Sequence, residues 1–134
     1  MELIQEEIFS GYSVDDIDKA RDFYANVLGL TTETPMGALA IQLPTGTKIF
    51  LYPKGEAHQP ASFTVLSFPV MDLESAVQEL TDKGVTFEQY DSKYIKTEPS
   101  GIARGNGYGP DIAWFKDPAG NILSVLHDAT EVTA

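Results

Sequence analysis

The stretch WFKDPAGNILSVL, Trp114 to Leu126, decides the fold. Apolar residues run up to a polar turn built on Pro118 and Gly120, then resume, which is the layout of a β-hairpin. Side chains alternate between the two faces of a strand, so Leu123 and Val125 share one face while Ile122, Ser124 and Leu126 share the other. The first set is branched and apolar throughout; the second has a hydroxyl at its centre. A sheet of this kind is to be covered on one side and left with a more polar lining on the other.

Working outward, the cover is found in two helical segments. SVDDIDKARDFY and PVMDLESAVQEL superpose at a spacing of 56 residues, with Val14 on Val70, Asp16 on Asp72, Ile17 on Leu73 and Ala20 on Ala76. In the first, Ile17, Ala20, Tyr24, Val27 and Leu28 follow helical spacing, Asp15 or Asp16 can cap the start, and Gly29 can end it. In the second, Leu73, Ala76, Val77 and Leu80 do the same between Asp72 and Gly84. The expected helices therefore span residues 16 to 28 and 72 to 83, each amphipathic and each needing an apolar surface to lie on.

That surface is supplied by strand-like runs. IFSGYSV precedes the first helix, and ALAIQL and TKIFLY follow it, joined by a tight PTG turn. SFTVLSF precedes the second helix, and VTFEQ, DIAWFK and NILSVLH follow it. The result is an α+β chain of two tandem modules, about residues 8–56 and 62–128. Between VTFEQ and DIAWFK runs SKYIKTEPSGIARGNGYGP, Ser92 to Pro110, whose four glycines and two prolines read as a mobile loop. Its GNGYG run is not a phosphate cradle, because no helix start follows it and no Lys-Ser/Thr pair closes it.

Composition narrows the function. At 134 residues and 43% hydrophobic content, the chain fits one globular domain. Twenty acidic against nine basic residues give a formal charge of −11, which opposes phosphate backbones and anionic membranes, so neither nucleic acid nor membrane is expected as a partner. No apolar run approaches the ~20 residues that span a bilayer, and a cytoplasmic location is expected. The absence of cysteine removes disulfides, thiolate metal sites and a Cys nucleophile.

VDDIDKARDFYANVLGL, PVMDLESAVQELTDKGV and IAWFKDPAGNILSVL together resemble the vicinal oxygen chelate superfamily, across residues 8 to 128. That group includes glyoxalase I, extradiol dioxygenases and bleomycin-resistance proteins. The resemblance implies two βαβββ modules with curled mixed sheets around a cup (the glyoxalase/bleomycin-resistance/dihydroxybiphenyl dioxygenase fold), usually within a dimer. In metal-dependent relatives, ligands come from each module's first and last strands. Carried onto this chain, those positions fall on Phe9, Val65, Ser124 and a residue between Phe50 and Tyr52. Phenyl, isopropyl and hydroxyl groups are not the ligands that Zn²⁺, Ni²⁺ or Fe²⁺ take, so no metal and no cofactor is expected.

The two histidines do not obviously repair the set. His127 lies at an odd offset from Ser124 and so faces the other side of the sheet. Glu56 and His58 stand in YPKGEAHQPAS, read as a solvated linker. If the ligand positions mark the cup, then Phe9, Gly11, Ser13, Val65, Ser67, Ile122, Ser124 and Leu126 line it, whereas Tyr12, Val14, Leu66, Phe68, Leu123 and Val125 face the helices. Phe50 or Tyr52, and Trp114 or Phe115, add aromatic walls, with the hairpin register left open. Arg104 and Tyr108 in the glycine-rich loop are candidates to meet a ligand anion.

Two functions follow. The first is a metal-independent protein, similar to the bleomycin-resistance branch, that sequesters an apolar or aromatic small molecule as a homodimer. The second is a lyase, isomerase or dioxygenase-like enzyme with a metal or base from unconventional positions, for which Tyr52, Tyr108, Glu98 and Asp111 are the available acid–base groups.

Overall fold

The computed structural model describes residues 1–128 and divides into two compact units, Met1–Pro60 and the chain from Ala61 onward. In the first unit, β1 (Ser10–Val14) leads into α1 (Ile17–Asp22), and β2 (Thr31–Glu33), β3 (Leu39–Gln42) and β4 (Lys48–Pro53) follow. Its sheet has the order β1-β4-β3-β2, with β1 parallel to β4 and the other pairs antiparallel. In the second unit, β5 (Thr64–Pro69) leads into α2 (Leu73–Asp82), and β6 (Ile102–Ala103), β7 (Asp111–Lys116) and β8 (Ile122–His127) follow. The order β5-β8-β7-β6 repeats the same topology, so two tandem βαβββ modules are present.

The helix starts are those the repeat predicts. Asp16 accepts from the amides of Asp18 and Lys19, and Asp72 from that of Ser75. The first helix ends differently from expectation. α1 stops at Asp22 and the chain continues as a π-helical turn over Phe23–Val27, in which the Leu28 amide reaches Phe23 O. This turn presents Tyr24, fully buried, whose hydroxyl accepts a 2.7 Å hydrogen bond from Tyr12.

Two strand expectations change. VTFEQ forms only an isolated bridge, Phe87 to Phe115, while the edge strand of the second sheet is β6, inside the segment read as loop. The reason is local: Gly101 adopts φ +98° and lies so close to Phe87 that a Cβ there would meet Phe87 Cβ at 2.6 Å. Strand β2, like β6, is a short element that the apolar pattern does not mark.

Each sheet buries one face. Tyr12, Val14, Leu39, Ile41, Ile49 and Leu51 form the core of the first module, and Leu73, Val77, Ala113, Phe115, Leu123 and Val125 that of the second. The hairpin turn is fixed by a buried carboxylate. Asp117 accepts from the amides of Ala119 and Asn121 and from Asn121 Nδ2, and Asn121 Oδ1 in turn accepts from the Ala61 amide at the start of the second unit.

Candidate functional site

With one face of each sheet closed by its helix, the cavities border the opposite face, on which Ser13 and Ser124 are themselves buried, at 9% and 0% exposure. In the first module, Gly11 pairs with Phe50 and Ser13 with Tyr52, so both aromatic residues lie on the Ser13 side. Phe9 continues this face just before β1 and meets Phe50 edge-on at 6.1 Å. The close approach of the strands requires glycine at position 11, since a Cβ would stand 2.8 Å from Phe50 O. Glu6, Glu7, Ile8, Phe9, Lys48 and Phe50 line a pocket of about 380 Å³. Ser13, nearly buried, shares a 2.7 Å hydrogen bond with His58 Nδ1. The linker reading therefore holds for exposed Glu56 but not for His58, which is half-buried against the strand.

In the second module, Trp114 pairs with Ser124 and Phe115 with Leu123. Phe115 is fully buried, so Trp114 is the aromatic residue of the open face. Ser124 Oγ donates to Ser67 Oγ at 2.9 Å, joining two of the expected lining residues across the parallel strands. Val65 is placed otherwise than simple alternation implies: a bulge leaves it without a partner, and Thr64 stands opposite Ile122. His127 lies on the Leu123 side as parity requires, where Nδ1 donates to Val70 O at 2.9 Å.

A pocket of about 630 Å³ opens on this face. Its floor is Ala103, Ile112 and Trp114, and one wall is the run Tyr94 to Glu98. Ile112 could have been found from the sequence, since it lies two residues before Trp114 and so on the same face. Tyr94 could not, because the segment carrying it has no period to read. Tyr90 packs edge-on against Trp114 at 5.5 Å, and burial, helped by the charge of Glu88, pushes its phenol above its usual range. Tyr108, by contrast, is fully exposed and does not line the pocket.

Arg104 lines the pocket but is engaged. Its Nε donates to both carboxylate oxygens of Glu98, at 2.9 and 3.2 Å, and its Nη1 lies 2.8 Å from Glu74 Oε1 and 3.1 Å from Asp111 Oδ2. Hydrogen bonds to Glu98, Glu74 and Asp111 raise the guanidinium pKa. The Gly105 amide and Arg104 hold the Asp111 carboxyl below its ordinary value, and Arg104 does the same for Glu74.

The positions corresponding to metal ligands do not fit a metal. Phe9 and Val65 carry no donor atom, Ser124 Oγ is bonded to Ser67, and among the described residues no three His, Cys, Asp or Glu side chains are grouped to hold an ion.

Comparison with known proteins agrees with this architecture. An integron cassette protein from the mobile metagenome of V. cholerae is 24% identical, with a TM-score of 0.63 over 96% of this chain and 99% of its own. The antibiotic-binding protein TnmS3 of Streptomyces sp. CB03234 is 21% identical, with a TM-score of 0.64 over 92% and 97%. Lactoylglutathione lyase from Agrobacterium tumefaciens is 19% identical, with a TM-score of 0.62 over 92% and 94%. No curated protein matches the chain. The family model for the Glyoxalase/Bleomycin resistance protein/Dioxygenase superfamily matches residues 9–125, and the chain belongs to that superfamily.

Proposed function

We propose that this chain is a metal-independent binding protein for an apolar or aromatic small molecule, held on the helix-free faces of its sheets. One observation carries the reading: Phe9, Val65 and Ser124, three of the positions that ligate metal in metal-dependent relatives, are here hydrocarbon or a paired hydroxyl, while aromatic rings on the same faces border cavities of about 380 and 630 Å³. The proposed lining is Phe9, Ser13, Phe50, Tyr52, Val65, Ser67, Trp114 and Ser124, with Arg104 on the adjoining segment and the exposed Tyr108 left outside it. Similarity in fold to an antibiotic-binding protein supports a small molecule as the partner.

Trp114 is the only tryptophan, so its fluorescence reports the second pocket directly. Titration with 2-naphthol, a neutral planar probe, is expected to quench it saturably, and tag-free protein is expected to retain no stoichiometric transition metal after dialysis. Near one equivalent of Zn, Ni or Fe bound at the Phe9, Val65 and Ser124 positions would overturn the metal-independent part. Absence of saturable quenching would overturn the aromatic part.

The reading includes a homodimer, because β1, β2, β5 and β6 are sheet edges of the kind that proteins pair or cover. Sedimentation showing only a 14.6 kDa species at micromolar concentration would exclude it. The enzymatic alternative is favoured by the Ser13–His58 pair, which puts an imidazole on the open face. Turnover of a hemithioacetal or catechol that is lost in His58→Ala would move the conclusion there.

A further inference from the structure

The three carboxylates around Arg104 come from three separate places. Glu74 lies in the first turn of α2, Glu98 ends the pocket wall, and Asp111 opens β7, where it also accepts from the Gly105 amide at 2.9 Å. The segment between α2 and β7 meets the sheet at two places, around Phe87–Tyr90 and at β6. It is held there by the two residues of β6, by the bridge of Phe87 with Phe115, by the Glu88 amide bonded to Trp114 O, by the ion pair of Glu88 with Lys116 at 3.2 Å and by the Tyr90 ring against Trp114. Within itself it is stitched together: the Thr97 amide bonds to Tyr90 O, the Tyr90 amide to Thr97 Oγ1, and the Ser92 amide to Ile95 O. A piece bonded within itself between two such attachments opens as one unit. Its tip carries Tyr94, which is 87% exposed and lines the pocket.

We propose that Arg104 is a positioning residue: it clasps the Tyr90–Glu98 flap to the sheet and to α2, keeping the Trp114 pocket walled, and it does not read the ligand. One positive charge faces three negative ones, which leaves an excess of two negative charges around the guanidinium. An incoming anion meets that excess before it meets the arginine. The fork of the guanidinium also matters, because it bonds Glu98 through Nε and the other two carboxylates through Nη1, a geometry a point charge cannot reproduce. Only the affinity part of the proposal rests on the binding function above; the closure of the pocket does not.

The test is acrylamide quenching of Trp114 in unliganded protein, with far-UV circular dichroism as the control for folding. Arg104→Ala is expected to raise the quenching constant about twofold or more with an unchanged spectrum. Arg104→Lys is expected to recover little of this, and Glu98→Gln and ~1 M NaCl on the wild type should each raise quenching too. Glu98→Gln and the salt series decide the matter should Arg104→Ala not fold. Unchanged quenching throughout would overturn the clasp. Titration with 2-naphthol and 2-naphthoate then separates the roles. A clasp weakens both by the same factor, about tenfold. Loss of 2-naphthoate binding alone, with unliganded quenching unchanged, would make Arg104 an anion reader instead. Were neither probe to bind wild-type protein, the binding function would fall while the quenching result still decided the clasp.

Discussion

Gly11 shows how much one missing atom can matter. Its neighbour across the parallel pair, Phe50, sets a carbonyl oxygen 2.8 Å from where a Cβ would stand, and backbone cannot give way as a flexible side chain can. Gly11→Ala is expected to destabilise the protein by about 1–3 kcal/mol, read from urea unfolding, because β1 must shift to admit it. Arg104 gives a pH-dependent prediction. Glu74 and Asp111 have depressed folded-state pKa values, so their stabilisation is present above the unfolded value of about 4 and is lost as pH falls through the folded one. The stability gap between wild type and Arg104→Ala should therefore be open at pH 6 and close progressively below about pH 4. A gap independent of pH would mean that those pairs contribute nothing. From the sequence, Arg104 was legible only as a cation in a glycine-rich run, because its partners at 74, 98 and 111 are brought to it by folding. The partnership of Ser13 and His58 was hidden in the same way.

At the scale of elements, the β7–β8 hairpin is the best specified. Asp117 is buried and accepts from two amides and an amide side chain, so removing its carboxylate strands donors that water cannot reach. Asp117→Ala is expected to cost about 2–3 kcal/mol, with the loss visible as a lowered urea midpoint at unchanged slope. A substitution without effect would show that the Pro118–Gly120 turn holds itself. The hairpin and both helix starts were readable because each obeys a local rule of capping or turn chemistry, whereas β1 and β8 each bury three consecutive residues, Ser13 and Ser124 included, where period two predicts alternation. Alternation failed at Val65, where a bulge adds a residue that no period predicts. Strand β6 was unreadable for another reason: two residues are too few to show a period, and the glycines around them argue for loop. The π-helical turn after α1, which carries Tyr24 to its hydrogen bond with Tyr12, has no signal in the local sequence FYANV that helical spacing would show.

For the molecule as a whole, the net charge of −11 implies self-repulsion that dissolved salt relieves. Raising NaCl from ~10 to ~150 mM should lift the melting temperature by about 2–4 °C, even though the same ions weaken the pairs around Arg104. A fall in melting temperature would mean that local pairs outweigh the global field. The repeat of topology between the modules was legible from the repeat of sequence, since Val14 and Val70 each precede a capping aspartate. One consequence of that topology concerns the order in which the chain is made. In each sheet the strand at the end of the module inserts beside the first strand, parallel to it, so no module can close until its last strand exists. The first module has all its strands once residue 53 has been synthesised, whereas β5 and α2 must wait for residues 122–127, with their apolar faces uncovered in the interval. Ribosome-bound chains of increasing length are expected to gain resistance to pulsed proteolysis in two steps, the second only after residue 127 has cleared the exit tunnel. A single late step would mean that the first module does not hold on its own.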